Sequence, residues 1–122
     1  MARILIVDDS PTDIRVLSGM LERAGFETTS ASSADEAISR AREELPDLIL
    51  MDVIMPGTNG FQATRMLSRD PQTSAIPVII VTTKNMETDR IWGMRQGAKD
   101  FISKPPNERD LVARIQTLLK PS

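Results

Sequence analysis

Carboxylates, hydroxyls and an amine stand directly behind the most apolar runs of this chain. Asp8 and Asp9 follow Ile4-Leu5-Ile6-Val7, Asp52 follows Leu48-Ile49-Leu50-Met51, Thr82 and Thr83 follow Val78-Ile79-Ile80-Val81, and Lys104 follows Asp100-Phe101-Ile102-Ser103. If these segments end at one edge of a sheet, three acids converge. Two unpaired carboxylates ~4 Å apart repel by ~4 kcal/mol at an effective dielectric of ~20, so such a group needs a cation or takes up protons. Mg²⁺ suits an all-oxygen site: it prefers oxygen ligands, keeps several waters and bridges carboxylates to phosphate. With the metal on Asp9 and Asp52, and on Asp8 through water, Asp52 can act as a nucleophile and form an aspartyl phosphate. The Lys104 ammonium and Thr82 hydroxyl would take the remaining phosphoryl oxygens, which makes the chemistry one of positioning and electrostatics.

Composition removes most alternatives to that chemistry. The chain has no cysteine and no histidine, so disulfides, thiolate chemistry, imidazole catalysis and Cys- or His-ligated metals are excluded. Fifteen basic and 17 acidic residues give a formal charge of −2, which provides no cationic field for a nucleic-acid backbone. Apolar residues make up 40% of 122, and no apolar run reaches the length of a membrane span or carries a signal-peptide cleavage pattern. A single soluble, cytoplasmic domain over residues 1–122 is expected, with no membrane partner and with any output domain lying outside it.

The elements that must position these groups follow from periodicity. The three runs at Ile4, Leu48 and Val78 do not alternate with polar residues, which is the habit of strands buried on both faces of a parallel sheet. Glu27–Ala31 and Asp100–Ser103 are more polar and suit its edges. Between them lie helical patterns. Ser10 caps and Pro11 opens the first, with Ile14, Leu17, Leu21 and Ala24 inward and Gly25 at its end. Ser33 and Glu36 have capping-box spacing for the second, with Ala37, Ile38, Ala41 and Leu45 on one face. Residues 60–69, 87–96 and 107–119 give three more, with Ile91 and Met94 marking the core stripe of the fourth. The order (βα)₅ predicts a doubly wound α/β fold, a five-stranded parallel sheet of flavodoxin-like order 2-1-3-4-5, whose ligand site lies beyond the carboxyl ends of the central strands.

Asp8-Asp9, Asp52 within Met51-Asp52-Val53-Ile54-Met55-Pro56-Gly57, Thr82 and Lys104-Pro105, in that order, resemble the signature of CheY-like response-regulator receiver domains over essentially the whole chain. The resemblance implies that Asp52 is the phosphoacceptor of a two-component system, with Mg²⁺ as cofactor and Mn²⁺ as a substitute. It implies that the backbone carbonyl of Ile54 is a further metal ligand and that Lys104-Pro105 is cis. Thr82 and Phe101 would form the switch. The implied partners are a CheA-like histidine kinase or phosphotransfer domain, and a downstream protein on the face of the fourth helix, fifth strand and fifth helix. The protein would be a monomer or a weak dimer on phosphorylation. Gly60-Phe61-Gln62-Ala63-Thr64-Arg65, the run Ser74–Lys84, Trp92-Gly93 and Arg95-Gln96-Gly97-Ala98 are similar to the PilH type, stand-alone receivers of type IV pilus chemosensory systems, whose outputs are twitching motility and chemotaxis.

Each residue also has a plainer role. Adjacent acids after a strand commonly make a solvated turn, Asp52 could cap a turn, Thr82 could bond its own backbone, and Lys104 alone is a surface lysine. Their coincidence at four strand ends argues for a site. Phe101 is either the switch aromatic or an ordinary core residue, and Trp92 either an interface anchor or a packing residue. Two positions depart from the family pattern: Thr83 stands where a small residue is usual, and Pro106 follows Pro105 and stiffens the connection after Lys104. A haloacid-dehalogenase-type phosphatase would carry an acid two residues after Asp52, where Ile54 stands. A flavodoxin-like cofactor module would carry a phosphate-cradling loop where Asp8-Asp9 stand. A receiver that binds without phosphorylation would not need the full set of residues present.

Overall fold

The computed structural model describes residues 1–120. Strands and helices alternate as β1 (Arg3–Val7), α1 (Pro11–Arg23), β2 (Glu27–Ala31), α2 (Ala34–Glu44), β3 (Leu48–Met51), α3 (Gly60–Arg69), β4 (Val78–Thr82), α4 (Glu87–Arg95), β5 (Asp100–Ser103) and α5 (Glu108–Leu119). All strand pairs are parallel, in the order β2-β1-β3-β4-β5. The fold is the expected flavodoxin-like one, with polar β2 and β5 at the edges.

Alternate residues of the central strands feed opposite faces, so continuous apolar runs become two cores. Leu5, Val7, Ile49, Met51 and Val78 pack beneath α2 and α3 with Ala37, Ala41, Ala63 and Leu67. Ile4, Ile6, Leu48, Leu50, Ile79 and Val81 pack beneath α1 and α5 with Leu17, Leu21, Leu111 and Ile115. Each fully buried aliphatic side chain contributes roughly 1.5–3 kcal/mol relative to exposure.

Ser10, Ser33, Asn59 and Asn107 each cap a helix by accepting a backbone N–H from three residues on, while the reciprocal arm expected between Glu36 and Ser33 runs instead from the Ser32 N–H to Glu36 Oε1. The helices depart from expectation at three side chains, two of them at helix ends. Ala24 is the exposed C-cap of α1, and Leu45 is the C-cap of α2 in the left-handed region, with φ 45° and 58% exposure. Both lie past the last helical turn, so the face their spacing predicts is not continued. In α4, Gly93 is the buried residue and Ile91 is exposed. Without a side chain at Gly93 the helix settles closely onto β4 and β5, which turns Ile91 outward while Met94 stays partly buried.

Candidate functional site

Backbone pairing carries three of the acting residues past the strands that precede them. The Asp52 N–H donates to the Val7 carbonyl at 2.9 Å, the Lys104 N–H to the Thr82 carbonyl at 2.7 Å, and the Asp8 N–H to the Ala31 carbonyl at 3.1 Å. Parallel strands put these extensions at one end of the sheet. The backbone beneath each functional side chain is thus held by the same ladder that builds the core.

Lys104 is the centre of the constellation. Its Nζ donates to Asp8 Oδ2 at 2.6 Å, Asp52 Oδ2 at 2.8 Å and Asp13 Oδ2 at 2.8 Å. Asp8 and Asp52 are buried, and each has a second anchor: the Ser10 N–H donates to Asp8 Oδ1 and the Ile54 N–H to Asp52 Oδ1, both at 3.0 Å. Burial would push the Lys104 pKa down, but hydrogen bonds to Asp13, Asp52 and Asp8 outweigh it and hold the ammonium above the ordinary lysine range. For Asp8 the balance is opposite: burial pushes its carboxyl up, against the pull of Lys104 and the Ser10 N–H. One cation receives three carboxylates, whereas each carboxylate receives a third share of one cation.

Around this centre, Thr82 is fully buried, and its hydroxyl oxygen accepts the Lys84 N–H at 3.4 Å. Asp9 is exposed and lines an open cavity of about 580 Å³ with Ile54, Asn59 and Lys84. Thr83 lines a separate cavity of about 340 Å³ with Asp13, Val16, Pro105 and Pro106. Phe101 is buried against Val53, Ile80 and Ala98, and the Lys104-Pro105 bond is cis. Trp92 is half exposed on α4.

Asp8, Asp52, Thr82 and Lys104 therefore lie at one end of the sheet, with Asp9 and Ile54 at its open rim and Phe101 one layer away. The residue that sequence reasoning does not reach is Asp13. It looks like an ordinary acid in the first turn of a helix, and only the fold, which brings the start of α1 to the residue just past β5, joins it to Lys104. The available signal is its place one helical turn beyond Asp9, on the helix that starts at the site.

The donor set fits a hard divalent cation in chemistry: all oxygens, with the carboxylates of Asp8, Asp13 and Asp52 on one central ammonium and that of Asp9 at the open rim. Three of the four are turned to Lys104, and among the described residues no group of three acids is gathered as a ready-made metal cage. Lys104 supplies the charge compensation that the paired acids require.

Residues 4–116 match the response regulator receiver domain family. The chain is 56% identical over 119 residues to protein PilH of Pseudomonas aeruginosa, covering 98% of each. It is 41% identical to the response regulator PleD of Caulobacter vibrioides, covering 98% of this chain and 26% of that protein. The solved structure of the chemotaxis protein CheY4 of Vibrio cholerae superposes with a TM-score of 0.90 at 31% identity, covering 98% of this chain and 99% of that one. With that fold, and with an acid pair, a buried Asp and a Lys just past the ends of β1, β3 and β5, the chain belongs to the response-regulator receiver family.

Proposed function

We propose that this receiver is a phosphorylation-dependent switch whose acceptor is Asp52, charged by the phosphohistidine of a CheA-like kinase or phosphotransfer domain. The observation that carries the reading is the buried Asp52 carboxylate, 2.8 Å from the Lys104 ammonium and steadied on its other oxygen by the Ile54 N–H. That arrangement presents a positioned oxygen nucleophile beside a fixed positive charge. In the transfer, an Asp52 oxygen bonds to phosphorus as the donor's P–N bond breaks, and the electron pair returns to the donor imidazole. Lys104 then stabilises one phosphoryl oxygen, and the buried Thr82 hydroxyl another. Asp9 and Asp52, Asp8 through water, and the Ile54 carbonyl are the groups that would hold Mg²⁺ or Mn²⁺. When bound, the metal neutralises charge on the phosphoryl oxygens.

Because the chain has no histidine, the donor is another protein or a small phosphodonor. The protein catalyses only its own phosphorylation and dephosphorylation, and hydrolysis resets it. Its output is a population shift of the α4, β5 and α5 surface, read by a downstream protein. The high identity to PilH over nearly the whole of both chains supports a pilus chemosensory pathway in the cytoplasm, with twitching motility or chemotaxis as output.

Beryllofluoride titration and intact mass after a small acyl phosphate, each with and without Mg²⁺, test this on wild type and Asp52→Ala. The expected result is a Mg²⁺-dependent adduct on wild type alone. An adduct that persists in Asp52→Ala, or none on wild type, refutes the assignment. Sustained turnover of phosphoesters would favour a phosphatase instead.

A further inference from the structure

Two arginines of α3, Arg65 and Arg69, are exposed, stand one helical turn apart and form no ion pair among the described residues. Elsewhere the same spacing is matched by charge: Arg40 pairs with Glu36 and Glu44 on α2, and Arg114 with Asp110 on α5. Like charges four residues apart disfavour a helix. A basic residue in the last turn complements the helix dipole, which accounts for Arg69 and leaves Arg65 unexplained. On α2, Arg42 already holds a carboxylate. Its Nε donates to Asp70 Oδ2 at 2.7 Å, and Asp70 is itself fixed by the Gln72 N–H at 2.9 Å. The three guanidiniums, with exposed Met66 and Pro71, line one open cavity of about 480 Å³ in which Asp70 is the one acid.

This surface is positive on a chain whose formal charge is −2. Guanidinium forks engage carboxylates through paired hydrogen bonds, and the contact of Arg42 with Asp70 shows that chemistry at work within the cavity. Met66 adds an unbranched, polarizable side chain that adapts to an apolar partner. A nucleic acid fits less well. Its backbone would run on from the cavity to Glu43, exposed beside Arg42 in sequence, and no aromatic side chain lines the cavity to stack on a base.

We propose that the α2 and α3 face is a docking site for an acidic segment of a partner protein. Arg65 and Arg69 take its carboxylates, Met66 takes one apolar side chain, and Arg42 stands fixed at the edge. A carboxylate on each α3 arginine removes the repulsion between them. The site gives the chain a second protein contact, built from residues outside α4, β5 and α5, and it stands whichever residue accepts the phosphoryl group.

The test is a titration of ¹⁵N-labelled protein at low salt with an amphipathic peptide of Glu, Ala and Leu. The amides of Arg42, Arg65, Met66, Arg69 and Gln72 are expected to shift, and binding to weaken as salt is raised. A twin peptide with Lys in place of Glu should leave them unmoved. The double substitution Arg65→Glu, Arg69→Glu should weaken binding of the Glu peptide by at least about tenfold, and Met66→Ser by about threefold. All three positions are exposed, so both variants should melt close to wild type. If the double variant fails to fold, Met66→Ser and the Lys twin still decide the matter. The proposal is overturned if the Glu peptide does not bind, if its shifts fall on other elements, or if the Lys twin or the double variant binds equally well. It is also overturned, in favour of a phosphate ligand, if a single-stranded oligonucleotide or phosphatidylglycerol vesicles move the same amides at lower concentration than the peptide.

Discussion

Burial is the largest influence on the Asp8 carboxyl, and it raises the group above its ordinary value of 3.8 although Lys104 and the Ser10 N–H both stabilise the charged form and Asp52 opposes it. A group whose folded pKa is raised binds its proton more tightly in the native state. Its contribution to stability is fully present below the ordinary value and is lost as pH rises through the folded value. Ionised Asp8 is therefore a cost at neutral pH in metal-free protein. Asp8→Asn, which resembles the protonated acid, should make the protein more stable to urea at neutral pH in the presence of chelator. The gain should shrink as pH falls toward 3.8. A gain that is constant with pH would contradict this origin. At the same scale, legibility in the sequence divides sharply. Asp8, Asp52, Thr82 and Lys104 were readable because each lies at or just past the end of a strand, and strand ends are set by local hydrophobic pattern. Asp13 was not, because its meaning depends on a contact with Lys104 across 91 residues of chain.

Between elements, the approach of α3 to the end of β3 places Asp52. A Cβ built on Gly60 would collide with the backbone of Asp52 and Val53, so only glycine lets the helix start this close to Asp52. Gly60→Ala should cost ~1–3 kcal/mol in unfolding free energy, since backbone atoms cannot step aside as a flexible side chain would. It should also weaken beryllofluoride binding, because relief of the collision moves Asp52. Normal binding with reduced stability would mean that α3 moves instead. The opposite case is Leu45, held at φ 45° in a C-cap where its side chain is exposed and adds little to the core. Leu45→Gly removes the Cβ penalty of the left-handed conformation and should raise stability by ~0.5 kcal/mol, read as an upward shift in Tm. The helix start was legible because Ser33 carries its capping chemistry in its own side chain. The end was not: spacing alone assigns Leu45 to the inward face, and nothing in a leucine announces a left-handed cap. Ile91 fails for a related reason. Helical periodicity counts apolar side chains, whereas α4 packs through one that is absent, at Gly93.

Across the molecule, a short apolar path joins the proposed acceptor, Asp52, to the proposed output surface. Val53, next in chain to Asp52, packs in one cluster with Ile80, Ala98 and Phe101, against which Phe61 and Met94 rest. A Cβ on Gly93 would touch Ile80, Phe101 and Phe61, so α4 sits directly on this cluster, with half-exposed Trp92 beside it in sequence. Close-packed interiors transmit displacement, because no void is available to absorb it. Thr82 stands where the path meets the site: it is the last residue of β4, fully buried, and paired in register with Ser103 of β5. If its hydroxyl is drawn toward a phosphoryl oxygen, the space it leaves is next to the β4–β5 layer on which α4 rests. Thr82→Ala removes the hydroxyl without disturbing the Asp52–Lys104 pair. Its expected phenotype is therefore a separation of binding from response. Beryllofluoride should still bind in the presence of Mg²⁺, weakened by at most about tenfold for the loss of one hydrogen bond. The accompanying change in Trp92 fluorescence should fall to less than about half that of wild type when both proteins are saturated. If Trp92 responds fully in Thr82→Ala, the signal reaches α4 by another route, with the Val53 and Phe101 contacts the first to test. If binding is lost altogether, the Thr82 hydroxyl is indispensable for holding the phosphoryl group, and the separation of binding from response is refuted.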